Sequence, residues 1–168
     1  LRKNKAVVKV FHAARQDLEI FVNLSGKVPQ SIFDTQVAAM VCGHGDQIGY
    51  LNLVQDICNQ KLDKGAQFTD WSRRPLTDKQ IPSAMAAVIW LRAVYKHLDK
   101  ALRDRGRLEW VKEEMEFLTA DETYQNPPEQ AWRRLKLRTD KPQAIAILME
   151  VCKWREEEAQ KRNVPRQR

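Results

Sequence analysis

From Thr77 to Leu102 the chain reads as one long amphipathic helix, and that helix decides what the rest can fold around. Thr77-Asp-Lys-Gln80 fits a capping box, with a hydroxyl at the first position and an amide three residues on. Apolar residues then recur at helical spacing: Ile81, Met85, Val88, Leu91, Tyr95, Leu98 and Leu102. Pro75 stiffens the approach and Gly106 marks the end. Pro82 conflicts with this pattern, because a proline inside a helix removes a hydrogen bond and costs about 3 kcal/mol. A kink or a late helix start is expected there.

Extended structure is confined to the beginning of the chain. Ala6 to Phe11 is rich in β-branched and apolar residues and predicts a strand. A helix is expected from about Ala13, with Ala14, Leu18, Phe21 and Val22 on its apolar face, and Gly26 and Pro29 at its exit. Ser31-Ile-Phe33 predicts a second short strand. It leads through Asp34, a good N-cap, into a helix expected to bury Val37, Met40 and Val41 and to stop at Gly43-His-Gly45. A third helix is predicted from about Ile48 to Leu62. After the long helix come Leu108 to Leu118, a hinge at Asn126-Pro-Pro128, a helix over Glu129 to Arg138, and a last helix from Pro142 to about Asn163. The class is α/β, with strands first and an all-α tail.

Hydrophobic residues at 43% and charged residues at 30% describe a soluble globular chain. The longest apolar stretch, Ala84 to Leu91, is far below the roughly 18 residues of a membrane helix, so no membrane association is expected. The basic start Leu1-Arg-Lys-Asn-Lys5 has no long apolar core behind it, which speaks against a secretory signal. A chain opening on Leu suggests a fragment. Cys42, Cys58 and Cys152 are odd in number and lack zinc-site spacing, so they read as reduced thiols of a cytoplasmic protein. The formal charge of +7 favours a polyanion partner, although many soluble domains are simply basic.

Three stretches carry more specific information: His12-Ala-Ala-Arg-Gln-Asp17, Asp34-Thr-Gln-Val-Ala-Ala39 and Asp70-Trp-Ser-Arg-Arg-Pro-Leu76. Together and in this order they resemble bacterial ribonuclease D, a family of 3'-to-5' exoribonucleases that trim tRNA precursors in the cytoplasm. The resemblance implies a partial ribonuclease H-like exonuclease domain over 1–105, with its leading strands missing. Connecting helices would follow over 106–141, and the start of a helical HRDC module over 142–168. Within that module, Trp154 to Pro165 resembles the opening helix.

The family holds two divalent metals, Mg²⁺ or Mn²⁺, with four acidic residues. Two-metal hydrolysis needs several carboxylates because one ion activates water while both stabilise the leaving oxygen. By resemblance, Asp17 is the metal ligand of the second motif. The first motif, an Asp and a Glu on a strand, would fall before Leu1. The third is a tyrosine that positions the attacking water, followed four residues later by a ligand aspartate. Anchored on Pro75-Leu76 and Gln80-Ile81, those positions are Ser83 and Ala87. Alanine has no ligand atom, and a serine hydroxyl is too short to replace a phenol. One carboxylate of four remains, so metal binding should be weak or absent and hydrolysis slight.

Plainer readings stand beside these. Asp17 would be favoured near a helix N-terminus in any protein, and Asp34 is expected to cap rather than to bind metal. His12, His44 and His97 form no cluster with ligand spacing, and the Gly43-x-Gly45 pair reads as a helix stop. Trp71 is expected to anchor a rigid approach to the long helix, with Arg73 and Arg74 reaching RNA phosphates or pairing with acids. Trp132, Arg133, Arg134, Lys136 and Arg138 could bind an RNA backbone and stack a base. Alternatively, that stretch is a helix burying Trp132, Leu135 and Leu137 with its cations in solvent. Three functions follow: an exoribonuclease-family member impaired in hydrolysis, a non-catalytic RNA-binding protein, or a decayed gene product. RNA, tRNA precursors above all, is the implied partner, and nothing calls for an obligate protein partner.

Overall fold

The computed structural model describes residues 4–63, 65–125, 127–162 and 164. They form two compact units, Leu1–Thr123 and Tyr124–Arg168.

The first unit opens with a parallel βαβ step. Strands β1 (Lys9–Phe11) and β2 (Ile32–Asp34) pair with Lys9 opposite Ile32 and Phe11 opposite Asp34. Helix α1 (Arg15–Ser25) crosses between them and buries Ala14 and Leu18 completely. The strand is shorter than the run from Ala6 predicts, and Val7 and Val8 are exposed beside it. The helix starts two residues later than predicted, because Ala13 turns the chain through a left-handed conformation (φ 56°). At its end Gly26 also adopts a positive φ and returns its N–H to the Val22 carbonyl.

Helix α2 (Thr35–Cys42) buries Ala38, Ala39 and Cys42, whereas Met40 is exposed and Val37 and Val41 are only half-buried. The expectation had the apolar face wrong. Small side chains let α2 lie close to the long helix, and the larger ones are turned aside. Its C-terminal carbonyls are capped from a distance: Arg105 donates to the Cys42 carbonyl (2.6 Å) and Arg107 to that of Val41 (3.1 Å). Helix α3 (Tyr50–Cys58) stops at Asn59, which is left-handed, well before Leu62.

The long helix α4 (Gln80–Asp104) has the predicted capping box at its start. Gln80 N–H donates to the Thr77 hydroxyl (3.3 Å), and Thr77 N–H donates to the Gln80 side-chain carbonyl (2.9 Å). Pro82 costs little here, since the carbonyl it leaves without a helical donor belongs to Asp78 at the exposed helix start. Val94, Leu98 and Leu102 are fully buried against α2 and its neighbours, but Ile81, Met85 and Val88 are exposed. The predicted stripe therefore serves the core only in its second half. Helix α5 (Leu108–Thr119) completes this unit, burying Val111 and Met115.

In the second unit α6 (Pro142–Arg162) packs against a 3-10 turn over Pro128–Arg134. The helix predicted over Glu129 to Arg138 forms only as this 3-10 helix and ends at Arg134. Beyond Arg134 the chain has no regular secondary structure, with Leu135 and Leu137 more than a third exposed. The alternation Leu135-Lys-Leu-Arg138 has a period of two, which a helix cannot use to build one apolar face. Asn126 of the predicted hinge and Asn163 at the predicted helix end lie outside the described residues.

Candidate nucleic-acid cleft and the remnant of a metal centre

Asp34 is the structural centre of the motif region. Its carboxylate is 2% exposed and accepts three backbone N–H groups: Ala13 (3.0 Å), Ala14 (2.7 Å) and Gln36 (2.8 Å). It thus caps α2 as predicted and also receives the backbone just before α1. Oxygens so engaged have little left to offer a metal.

Asp17 sits exposed in the first turn of α1. Partial desolvation, with the Asp34 charge adding to it, raises its carboxyl above the usual carboxylate range.

His12, at the end of β1, completes this corner. Thr35 donates its hydroxyl to the Phe11 carbonyl (2.9 Å), so the contact from His12 Nδ1 to Thr35 Oγ1 (3.0 Å) places the imidazole proton on Nδ1. Burial pushes the imidazole pKa down, against smaller upward pulls from Asp34 and the Ile48 carbonyl. The His12 ring meets the edge of Tyr50, with centroids 5.5 Å apart. Tyr50 in turn reaches α4, where its hydroxyl lies 3.0 Å from the Ala86 carbonyl and 3.1 Å from that of Ala87. Burial, chiefly, pushes the phenol up to about 12. No sequence signal singled out Tyr50; its role follows from α3 lying across α4.

Ser83 and Ala87 both line an open cleft of about 960 Å³, bounded by the start of α3, residues 61–63 and 65–67, and the first turns of α4. Lys61, Lys79, Asp63 and Asp78 supply its charge, and Tyr50, Asn52 and Gln67 its remaining polar groups. Ser83 and Ala87 thus border the same cleft, and Asp17 is not among the cleft residues.

The segment 66–76 is held to α4 by Gln80, which is 2% exposed. Its amide donates to the Thr69 hydroxyl and the Asp70 carbonyl, both at 3.0 Å, while its carbonyl accepts from Thr77. Gln80, more than Trp71, is the anchor of this approach. Trp71 remains 38% exposed and donates its indole N–H to the Ala66 carbonyl (3.1 Å). Arg74 is occupied inside the turn, donating to the Trp71 and Arg73 carbonyls (2.8 and 2.9 Å), and Arg73 is exposed. In the second unit Arg133 places its guanidinium 5.8 Å from the Trp132 ring centre. Arg133, Arg134, Lys136 and Arg138 are all exposed, and Trp132 is half-buried.

Could these residues hold the two metals the motifs imply? Asp34 is spent on backbone N–H groups, Ser83 and Ala87 bring no carboxylate, and Asp17 is not among the residues that line the cleft. Among the described residues no three His, Cys, Asp or Glu side chains group closely enough to hold an ion. The residues present do not fit a two-metal centre.

Residues 1–103 match the family model described as 3'-5' exonuclease. The chain belongs to this 3'-5' exonuclease family. The exonuclease relatives are ribonucleases D. The chain is 55% identical over 168 residues to ribonuclease D of Nitrobacter hamburgensis and 52% identical over 168 residues to that of Jannaschia sp.. Each match covers 100% of this chain and 44% of the relative, so the chain spans less than half the length of these relatives. Among solved structures, Escherichia coli RNase D superposes with a TM-score of 0.89 at 30% identity, covering 99% of this chain and 44% of that one. Brucella melitensis NrnC with bound Mg²⁺ has a TM-score of 0.65 at 21% identity, covering 84% of this chain and 67% of that one, and shares the fold. These matches bear out the ribonuclease D resemblance and the exonuclease part of the fold.

Proposed function

We propose that this chain binds the 3' end of RNA in the cleft beside α4 and hydrolyses it slowly or not at all. The carrying observation is the cleft itself: it is lined by Lys61 and Lys79 and has Ser83 and Ala87 where, by the resemblance, the family's phenol and ligand carboxylate belong. The relatives support RNA as the ligand, since E. coli RNase D is described as an exoribonuclease involved in structured RNA processing. The structure of B. melitensis NrnC bound to pGG supports a short RNA end as the bound element.

The finer reading follows the family. The RNA would be a tRNA precursor met in the cytoplasm, Mg²⁺ or Mn²⁺ would bind weakly through Asp17, and α6 would begin an HRDC module. Arg73, Trp132, Arg133, Arg134, Lys136 and Arg138 would add sequence-independent contacts to phosphate and base. Arg74 would do less than the motif suggests, being engaged with its own turn.

Single-turnover incubation with a 3'-extended tRNA in Mg²⁺ or Mn²⁺, beside an anisotropy titration of the same RNA, tests this. The expected result is saturable binding, weakened steeply by salt, with no trimming above the metal-free control. Clear trimming by the unmodified chain would overturn the impairment, and absence of binding would overturn the ligand.

A further inference from the structure

We propose that Phe68 is a base-stacking platform at the edge of the cleft, taking one unpaired nucleobase of the RNA. The inference rests on the reading that the cleft receives an RNA end. The phenyl ring is 93% exposed, more than any other large apolar side chain among the described residues. Its backbone, by contrast, is held firmly. The Ala66 carbonyl accepts from the Thr69 N–H (3.2 Å), the Thr69 hydroxyl (2.8 Å) and the Trp71 indole (3.1 Å), and Ala66 itself is buried. The Thr69 hydroxyl in turn accepts from the buried Gln80 amide (3.0 Å). The turn over 66–69 is thus closed on itself and tied to α4, and it carries the ring into solvent on a fixed base. A ring presented in this way gives up little freedom when a ligand stacks on it.

The surroundings of the ring select the ligand. Ala66 and Gln67, the two residues before it, line the cleft together with Lys61 and Lys79. Gln67, Thr69, Asp70, Ser72 and Arg73 are exposed and polar, and within this stretch Trp71 alone adds apolar surface. Another stretch of polypeptide, from this protein or from a partner, docks on a contiguous apolar patch. A nucleobase needs only one ring face, with cations nearby for its phosphate. The Asp70 carboxylate, which would repel a phosphate, is engaged by the Ser72 N–H (2.9 Å) and hydroxyl (2.6 Å).

Anisotropy titrations of the whole chain at low ionic strength test this with two end-labelled probes. One is an oligoadenylate of about eight nucleotides, the other a ribose-phosphate oligomer of the same length without bases. Phe68→Ala should weaken oligoadenylate binding by about tenfold, as the loss of one stacked base does, and should leave binding of the base-free oligomer unchanged. Phe68→Trp should hold the parent affinity for oligoadenylate, whereas Phe68→Leu, apolar but without a π-face, should fall with Phe68→Ala. Far-UV circular dichroism and melting temperature establish that the variants are folded, as expected for so exposed a side chain. Oligoadenylate binding indifferent to Phe68→Ala, or a loss shared by the base-free oligomer, overturns the platform and leaves the reading of the cleft standing. Parent-like binding by Phe68→Leu overturns stacking as the contact. A parent that binds neither probe overturns the reading of the cleft and the platform with it.

Discussion

The two halves of α4 are built from similar residues and meet different surroundings. From Val94 to Leu102 the apolar positions are sealed against α2 and the strands. From Gln80 to Ile89 the apolar side chains face solvent, and the helix is held instead by polar contacts: Gln80 to the preceding segment, and Tyr50 to the Ala86 and Ala87 carbonyls. One end of the helix is kept in place by burial, the other by hydrogen bonds. The end that borders the cleft is the one held by hydrogen bonds, so residues there can change without disturbing the core.

The largest test of this contrast sets Leu98→Ala against Met85→Ala. Urea unfolding should show about 3 kcal/mol lost for Leu98→Ala, through lost burial and the cavity left behind. Met85→Ala, measured at low protein concentration, should stay within about 0.5 kcal/mol, as for most exposed sites. Equal losses would erase the contrast.

Gln80→Ala comes next. It removes the capping box and both contacts to the segment 66–76, and should cost about 2 kcal/mol. Limited proteolysis should then cut within that segment sooner than in the parent, and unchanged protection would show that Trp71 suffices as anchor.

Tyr50→Phe keeps the ring and deletes the hydroxyl, for an expected cost of about 1 kcal/mol at neutral pH. Its signature is in the pH profile. Because the folded phenol is raised to about 12, its contribution is complete below the ordinary tyrosine value and is lost as pH rises through about 12. Melting curves across that range should fall more steeply for the parent than for Tyr50→Phe.

The smallest effect belongs to the Arg103–Asp99 pair on the solvent side of the buried half (2.8 Å). Arg103→Ala should leave the urea midpoint nearly unchanged, since exposed pairs one helical turn apart are worth little. A larger loss would mean that the packed half also leans on its surface charges.

What the sequence made legible was local. The Thr77–Gln80 box and the Asp34 cap could be read because donor, acceptor and backbone lie within three residues of each other. The long stripe was legible as a helix but not as a burial pattern. A run averaging 3.5 residues per turn rotates by roughly 20° each heptad on a straight helix, so residues that look like one face at Ile81 and at Leu102 do not point the same way. The helix predicted over Glu129 to Arg138 stops at Arg134 as a 3-10 helix, because basic residues and leucines in alternation beyond it do not build one helical face. Ser83 and Ala87 are assigned to the third motif only through their neighbours Pro75-Leu76 and Gln80-Ile81; that both border one cleft is a fact of the fold that the sequence does not display. Tyr50 was invisible, since nothing near it in sequence announces a partner 36 residues away.

The carboxylate of Asp34 has a consequence beyond capping. It fastens the approaches to two helices with one side chain, while Ser83 and Ala87, where the family's chemistry would be done, contribute nothing to the core. Scaffold and reactivity are written in separate letters of this sequence. A change at positions 83 and 87 leaves the Asp34 corner untouched, so the shape of this unit does not hang on the residues found there.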